Sequence, residues 1–403
     1  MGTKLLLVDD GQRRARLGRR HHLARSDRAA DPVAVAAGLV GLHATDPATV
    51  FLSARARLRR RETTVSALEA ALYVDRTLVR ILCMRRTMFV VPLDVVPVVQ
   101  AAVTDALVPG ERRRTLQMLE ELRKIEEGSV PDDCAAWLEQ LEAATLAEIT
   151  ARGEATGAEL GRAVPGLSLQ IPVGEGTTWA GTIGMTTRVL FLLSTGQRIV
   201  RGRPKGSWTS SQYRWSPIEA WLPGGVPTLE PPAARAELAR RYLARFGPAR
   251  ASDLKWWTGW TVADTKTALA AAGAVEVALA EGSGWILAGD QAPVRRPGHW
   301  VALLPSLDPT TMGWQRRDWS LADHGPQLFD RNGNAGPTIW VDGRIVGGWA
   351  QRRTGEVVHR LLEDVGAETA AAVCAEAAGL EAWLGPVRVT PRFPTPLQKL
   401  LIA

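Results

Sequence analysis

Cysteine is nearly absent: Cys83, Cys134 and Cys374 are the three in 403 residues. They are far apart, so no disulfide framework can be built from them. No metal-ligand spacing joins them to one another or to the six histidines, and they read as small buried residues of a reducing compartment. No apolar run approaches the roughly 18 residues of a membrane span. The N-terminal segment has too short an apolar stretch for a secretory signal. Lysine is scarce, and none lies between residues 39 and 60. These absences predict a cytoplasmic protein with no membrane, metal or cofactor.

What the chain does have is arginine. The formal charge is +7 and the isoelectric point about 9.7. From Gly176 to Ile218 there is no acid, against Arg188, Arg198, Arg201, Arg203, Lys205 and Arg214. Acidic residues concentrate instead around 120–142. A segregated basic face is the electrostatic footprint of a nucleic-acid binder, although the arginine-rich composition of a GC-rich genome gives the same bulk charge. A chain this long predicts two to four domains.

The most informative stretch is 39–60. An apolar run ends at Leu42, and His43, Thr45 and Asp46 follow at once. Asp46 has the position of an N-cap and Pro47 that of a first helical residue. His43 and Thr45 therefore sit where the chain enters a helix carrying Arg55, Arg57, Arg59 and Arg60. Two polar groups one residue apart, backed by arginines, can hold a water against a phosphodiester.

The periodicity predicts helices over 12–25, 33–42, 47–60, 64–72 and 76–82, the last capped by Asp75, and then a strand-rich segment over 84–92. A similar series recurs, with helices over 145–152, 156–163 and 185–197 and a basic strand, tip and strand over 198–208. A third begins near 232, with helices over 233–246, 251–257 and 261–271 and a hairpin over 275–287. Short helices followed by a hairpin describe a winged helix. From 299 the pattern turns to strands, with a hairpin on Asp342-Gly343, a helix over 366–380 and a short strand at 387–389. The fold class expected is α+β: tandem winged helices over 1–104, 105–231 (with a helical linker) and 232–298, then a small β-barrel over 299–403.

Several of these segments together resemble the AlkZ-type winged-helix DNA glycosylases. They are Gly-Leu-His-Ala-Thr-Asp-Pro at 41–47, the segment 74–92, Lys-Trp-Trp-Thr-Gly-Trp at 255–260, Leu-Leu-Pro-Ser-Leu-Asp-Pro at 303–309 and Val-Asp-Gly-Arg-Ile-Val-Gly-Gly-Trp at 341–349. The resemblance covers almost the whole chain. It implies tandem winged helices and a C-terminal barrel forming a C-shaped clamp on duplex DNA, and excision of N7-alkylated purines, bulky adducts included. Some actinomycete members protect producers of DNA-alkylating antibiotics. The family signature is Gln, an aliphatic residue, then Gln or Asp; this chain has His43-Ala44-Thr45 in its place.

The resemblance implies catalytic roles for His43 and Thr45, with Asp46 behind them. Taken alone, His43 reads first as an exposed helix-end residue whose ring bonds a carbonyl, Thr45 as a turn residue and Asp46 as a structural cap. DNA contacts are expected from Arg55, Arg85 and Arg86, from Arg201, Arg203 and Lys205, and from Arg316, Arg317 and Arg331 on aromatic- or Asn/Gly-rich loops. An ordinary solvated face accounts for each of these as well. The tryptophans of 255–260 read as core, and Asp308 as a turn cap. The expected partner is double-stranded DNA containing an alkylated purine, bound by a monomer near the nucleoid. With no lysine at the site, the glycosylase is expected to be monofunctional. The rival readings are a winged-helix transcription regulator and a damage binder without catalysis.

Overall fold

The computed structural model describes residues 5–174, 176 and 180–403. A basic helix, α1 (Asp10–Arg20), opens the chain. Then α2 (Pro32–Gly38) starts at Asp31, whose carboxylate accepts the Ala34 N–H at 2.9 Å. The short strand β1 (Leu42–His43) leads to α3 (Pro47–Arg57), capped by Asp46, and α4 (Thr64–Glu69) follows. Strands β2 (Leu78–Leu82) and β3 (Met88–Pro92) complete a sheet ordered β1-β3-β2.

The helix expected over 76–82 is therefore a strand. All five residues of β2 are buried. A short segment covered on both faces shows neither the helical nor the alternating period, and β-branched Val79 and Ile81 suit the strand.

The same order of events occurs twice more. After α5 (Val108–Ile125) come α6 (Cys134–Arg152), β4 (Ala155–Thr156) and α7 (Gly157–Ala163), the last opened by a capping box of Thr156 and Glu159. A hairpin, β5 (Gln170–Val173) and β6 (Gly181–Gly184), precedes α8 (Met185–Thr195), β7 (Ile199–Pro204) and β8 (Tyr213–Pro217). The sheet is ordered β4-β8-β7. The third passage has α9 (Pro231–Phe246), α10 (Ala251–Thr258), α11 (Val262–Ala271), β9 (Ala274–Leu279) and β10 (Gly282–Leu287). There Ala249 bridges Trp285 of β10. In the first two a short strand pairs with the last strand of the hairpin, and in the third a single bridge takes its place.

The C-terminal part is an antiparallel sheet, β11 (Val301–Leu304), β12 (Thr338–Val341), β13 (Arg344–Gln351) and β14 (Val357–Leu361), paired in that order. The Asp342-Gly343 turn is present, with φ of 48° and 89°. The expected barrel is not: among the described residues the sheet is open, its outer strands β11 and β14 unpaired with each other. Four strands are too few to close around a core, and the helix over Ala367–Leu384 covers a face instead.

The short helix α12 (Pro309–Met312) follows Asp308. Helix α13 (Ala367–Leu384) buries Val373, Ala377, Leu380 and Leu384 in one core with Val301, Leu303, Ile339 and Trp349, and α14 (Pro396–Ile402) ends the chain. The strand expected at 387–389 is absent. Gln351 takes its place as a partner, donating to the Val387 carbonyl at 3.0 Å and accepting the Val389 N–H at 2.9 Å.

Packing divides the chain differently from its element order. The second passage has its own core, from Leu119 to Ile199. The first and third passages share theirs with the C-terminal sheet, where Val79, Phe89, Tyr242, Trp314 and Trp340 belong to one cluster. Around it lies a continuous helical stretch, Leu93–Ile125, that is long and apolar enough to cross a membrane by length and composition. Its apolar half is core: Val95, Val96, Val98 and Val99 are each at most 4% exposed.

Candidate active site

β1 places His43 beside Phe89 of β3, the two rings edge to face at 5.0 Å. His43 is 3% exposed, and its Nδ1 is enclosed without a hydrogen-bond partner. Thr45 Oγ1 is likewise buried and unpartnered. β1 ends at His43, and Thr45 lies in the bend between that strand and α3. An enclosed polar atom without a partner costs about 1–3 kcal/mol.

Burial, reinforced by the charge of Arg85, lowers the His43 pKa to about 3, while Asp308 pulls weakly the other way. The ring is therefore neutral near pH 7. Asp46 accepts the Ala48 N–H at 3.0 Å as the cap of α3. Burial raises its pKa, and the Ala48 N–H and Arg392 oppose that shift.

Two arginines hold the backbone of this segment. Arg80 of β2, 2% exposed, donates to the Ala44 carbonyl at 3.1 Å. Arg392, from the tail before α14, donates to the next carbonyl, that of Thr45, also at 3.1 Å. Arg80 lies on the Tyr213 ring at 4.9 Å, and Arg201 on the same ring at 5.5 Å and on Trp215 at 5.3 Å. Beneath α3, Asp308 caps α12 through the Thr310 N–H at 2.9 Å and takes the Arg57 guanidinium. Among the described residues no cluster of side chains could hold a metal ion.

The model of the AlkZ-like DNA glycosylase family matches residues 36–383. The chain belongs to this family. It is a DNA glycosylase, and the His43-Ala44-Thr45 segment lies within the matched region. Among solved structures it is similar to the DNA glycosylase AlkZ of Streptomyces sahachiroi, with a TM-score of 0.70 over 96% of this chain and 100% of that one. At 18% identity that likeness speaks for the fold. No curated protein sequence matches the chain significantly.

The basic residues of this glycosylase fall into distinct surroundings. Arg55 is the correction: it is 6% exposed, donates to the Gly379 carbonyl at 2.6 Å and packs on Trp383. It ties α3 to α13 and presents no face to DNA. Arg86 is ion-paired to the buried Glu111, which also takes Arg188 at 3.3 Å. Arg203 meets Glu69 at 3.0 Å and lies on Tyr73. Arg201 is largely covered by its two aromatic rings, whereas Lys205, Arg316 and Arg331 are exposed. Arg85 and Arg317 converge on Trp256, at 3.9 Å and 5.3 Å from its ring centre.

Arg80 and Arg392 were invisible as site residues in the sequence. Arg80 sits in an apolar strand, and Arg392 reaches Thr45 across 347 positions. The tyrosine under Arg80 and Arg201 gave no signal either.

Proposed function

We propose that the protein is a monofunctional DNA glycosylase hydrolysing the N-glycosidic bond of bulky N7-alkylguanine adducts in duplex DNA, with self-resistance to a DNA-alkylating antibiotic as its role. We read the chain as three winged-helix units, over 1–104, 105–231 and 232–298, and a C-terminal sheet unit over 299–403, set around the duplex. The observation that carries the catalytic reading is the pair of orphaned buried atoms, His43 Nδ1 and Thr45 Oγ1, in the segment where the resemblance puts the family's signature.

N7-alkylation makes the purine cationic. Its bond to C1′ breaks with the electron pair leaving on the base, so the departing base is neutral and little acid help is required. What remains is to bring water to the oxocarbenium-like C1′. The water oxygen bonds to C1′ and its proton passes to solvent, giving an abasic site. His43 and Thr45 hold that water by hydrogen bonds. With a pKa of about 3, His43 is too weak a base to remove the proton early, so its work is positioning. Arg80 and Arg392 fix the two carbonyls that set the spacing of the pair. Asp46 holds the start of α3 behind them.

The test is base release from a duplex carrying one bulky N7-guanine adduct, read as alkali-labile strand cleavage. Cleavage by the wild type that drops about 100-fold in His43→Ala supports the reading, the size being typical of a lost proton-handling or water-holding group. Retention of the adducted duplex without cleavage identifies a damage binder instead.

A further inference from the structure

The turn between β2 and β3 carries a guanidinium that no acid neutralises. Arg85 adopts a left-handed backbone, φ 53° and ψ 31°, and Arg86 follows at φ 59°. Side chains other than glycine, asparagine and aspartate seldom occupy that region, and strain of this kind persists where a site uses it. Arg86 is accounted for by Glu111. Arg85 has neither a hydrogen bond nor an ion pair among the described residues, and its one contact of note is the face of Trp256.

Arg317 comes to the same indole from the segment after α12. Its Nε donates to the Thr311 carbonyl at 2.8 Å, its guanidinium also lies on Phe329 at 4.7 Å, and among the described residues its outer nitrogens have no hydrogen-bond partner. Burial and the nearby charge of Arg85 lower its pKa to about 10. Two like charges held around one ring are unfavourable until an anion joins them. A phosphodiester between planar guanidinium forks turns that repulsion into charge-assisted hydrogen bonds. Arg85, Trp256, Lys255 and Gln315 line an open cleft of about 650 Å³. The one acid on its wall, Asp264, is tied to Arg235 at 2.8 Å.

We propose that Arg85 and Arg317, sharing the Trp256 ring, bind a single phosphodiester of the damaged strand next to the target nucleotide and so set its sugar against His43. The inference rests on the glycosylase reading for the identity of the target. The location follows from the sheet: β3 begins three residues after Arg85 and pairs with β1, Phe89 opposite His43, and the Ala44 N–H donates to the Met88 carbonyl at 2.7 Å. Trp256 is then a support for arginine and not a platform for a base, since Arg85 covers its ring. Arg85 is a positioning residue, and a phosphate is the ligand.

The experiment uses the full chain and a duplex with one tetrahydrofuran abasic analogue, which has no glycosidic bond to cut. Binding is measured against salt, and with single neutral methylphosphonates placed in turn at each phosphate around the analogue. Wild type is expected to lose about tenfold in affinity at one flanking position, the size of one charge-assisted contact. Arg85→Gln and Arg317→Gln should each become insensitive at that same position and remain sensitive elsewhere. Each should also lower the salt slope by about 0.9.

Arg85→Gly, which relieves the left-handed backbone, should unfold no earlier than wild type yet bind like Arg85→Gln. Unchanged methylphosphonate sensitivity in Arg85→Gln overturns the proposal, as do different positions for the two arginines. Competition by inorganic phosphate at constant ionic strength that vanishes in Arg85→Gln would make this a site for free phosphate and overturn the DNA assignment. Binding is read without base release, so a failure of the glycosylase reading shows separately as absent cleavage with this cycle intact.

Discussion

Arg57 and Asp308 form a two-pronged ion pair, with Nη1 2.9 Å from Oδ2 and Nη2 2.6 Å from Oδ1, and neither side chain has exposed surface. The carboxylate also accepts the Ser53 hydroxyl at 2.6 Å. The guanidinium also donates to the carbonyls of His21 and Ser53 and to the Thr310 hydroxyl. One side chain thus joins α1, α3 and the start of α12, directly beneath the His43 segment. Removing one partner strands a buried charge. Asp308→Ala should lower unfolding free energy by about 3–5 kcal/mol, measured by denaturant unfolding. A loss below about 1 kcal/mol would mean that the pair is not the tie between these elements.

Acid should weaken the fold through histidine. Burial holds the His21 pKa well below its ordinary value, and takes His43 to about 3. Both rings are neutral in the folded protein, whereas in the unfolded chain each gains a proton below about pH 6.5. Their contribution to stability is complete above that pH and is lost as pH falls towards the folded pKa. Each histidine costs up to about 1.4 kcal/mol per pH unit in that window. Between pH 7.5 and 5, His43→Gln should therefore lose about 2 kcal/mol less stability than wild type. Equal losses in the two proteins would show His43 to be accessible to protons when folded.

The arginines should separate by environment. Lys205→Gln and Arg331→Gln are each expected to reduce the salt slope of DNA binding by about 0.9, with affinity falling for every sequence alike. Arg55→Met should leave that slope unchanged and cost about 1–3 kcal/mol of stability through the lost Gly379 and Trp383 contacts. A salt slope that falls in Arg55→Met would put this residue back on the DNA face.

The parts of this structure that could be read from the sequence are those fixed by neighbouring residues. Asp46-Pro47 opens a helix because its cap and first residue are adjacent, and Asp342-Gly343 turns a hairpin because both residues tolerate positive φ. Local signals failed where burial removed the pattern. β2 is covered on both faces and lost its period. The long helix α6 begins at Cys134, well before the residues that first looked helical, because its mixed polar and apolar face carries little period of its own.

The site was legible as a position and not as a constellation. His43 and Thr45 stood out by their place before a cap. Arg80 and Arg392 come to them through packing between segments far apart in the chain, which no spacing records. Arg55 misled because an arginine on a helix ordinarily faces water, and here its apolar stem and charge are both used against α13.

The most direct measurement is the single-turnover rate of base release from an N7-adducted duplex across pH 5 to 8, for wild type, His43→Gln, His43→Ala and Thr45→Ala. A neutral His43 that only positions water predicts a flat wild-type profile, most of the rate kept in His43→Gln, and losses of about 100-fold in the two alanine variants. A step centred near pH 6.5 that disappears in His43→Gln, or wild-type rates in both alanine variants, would contradict the account.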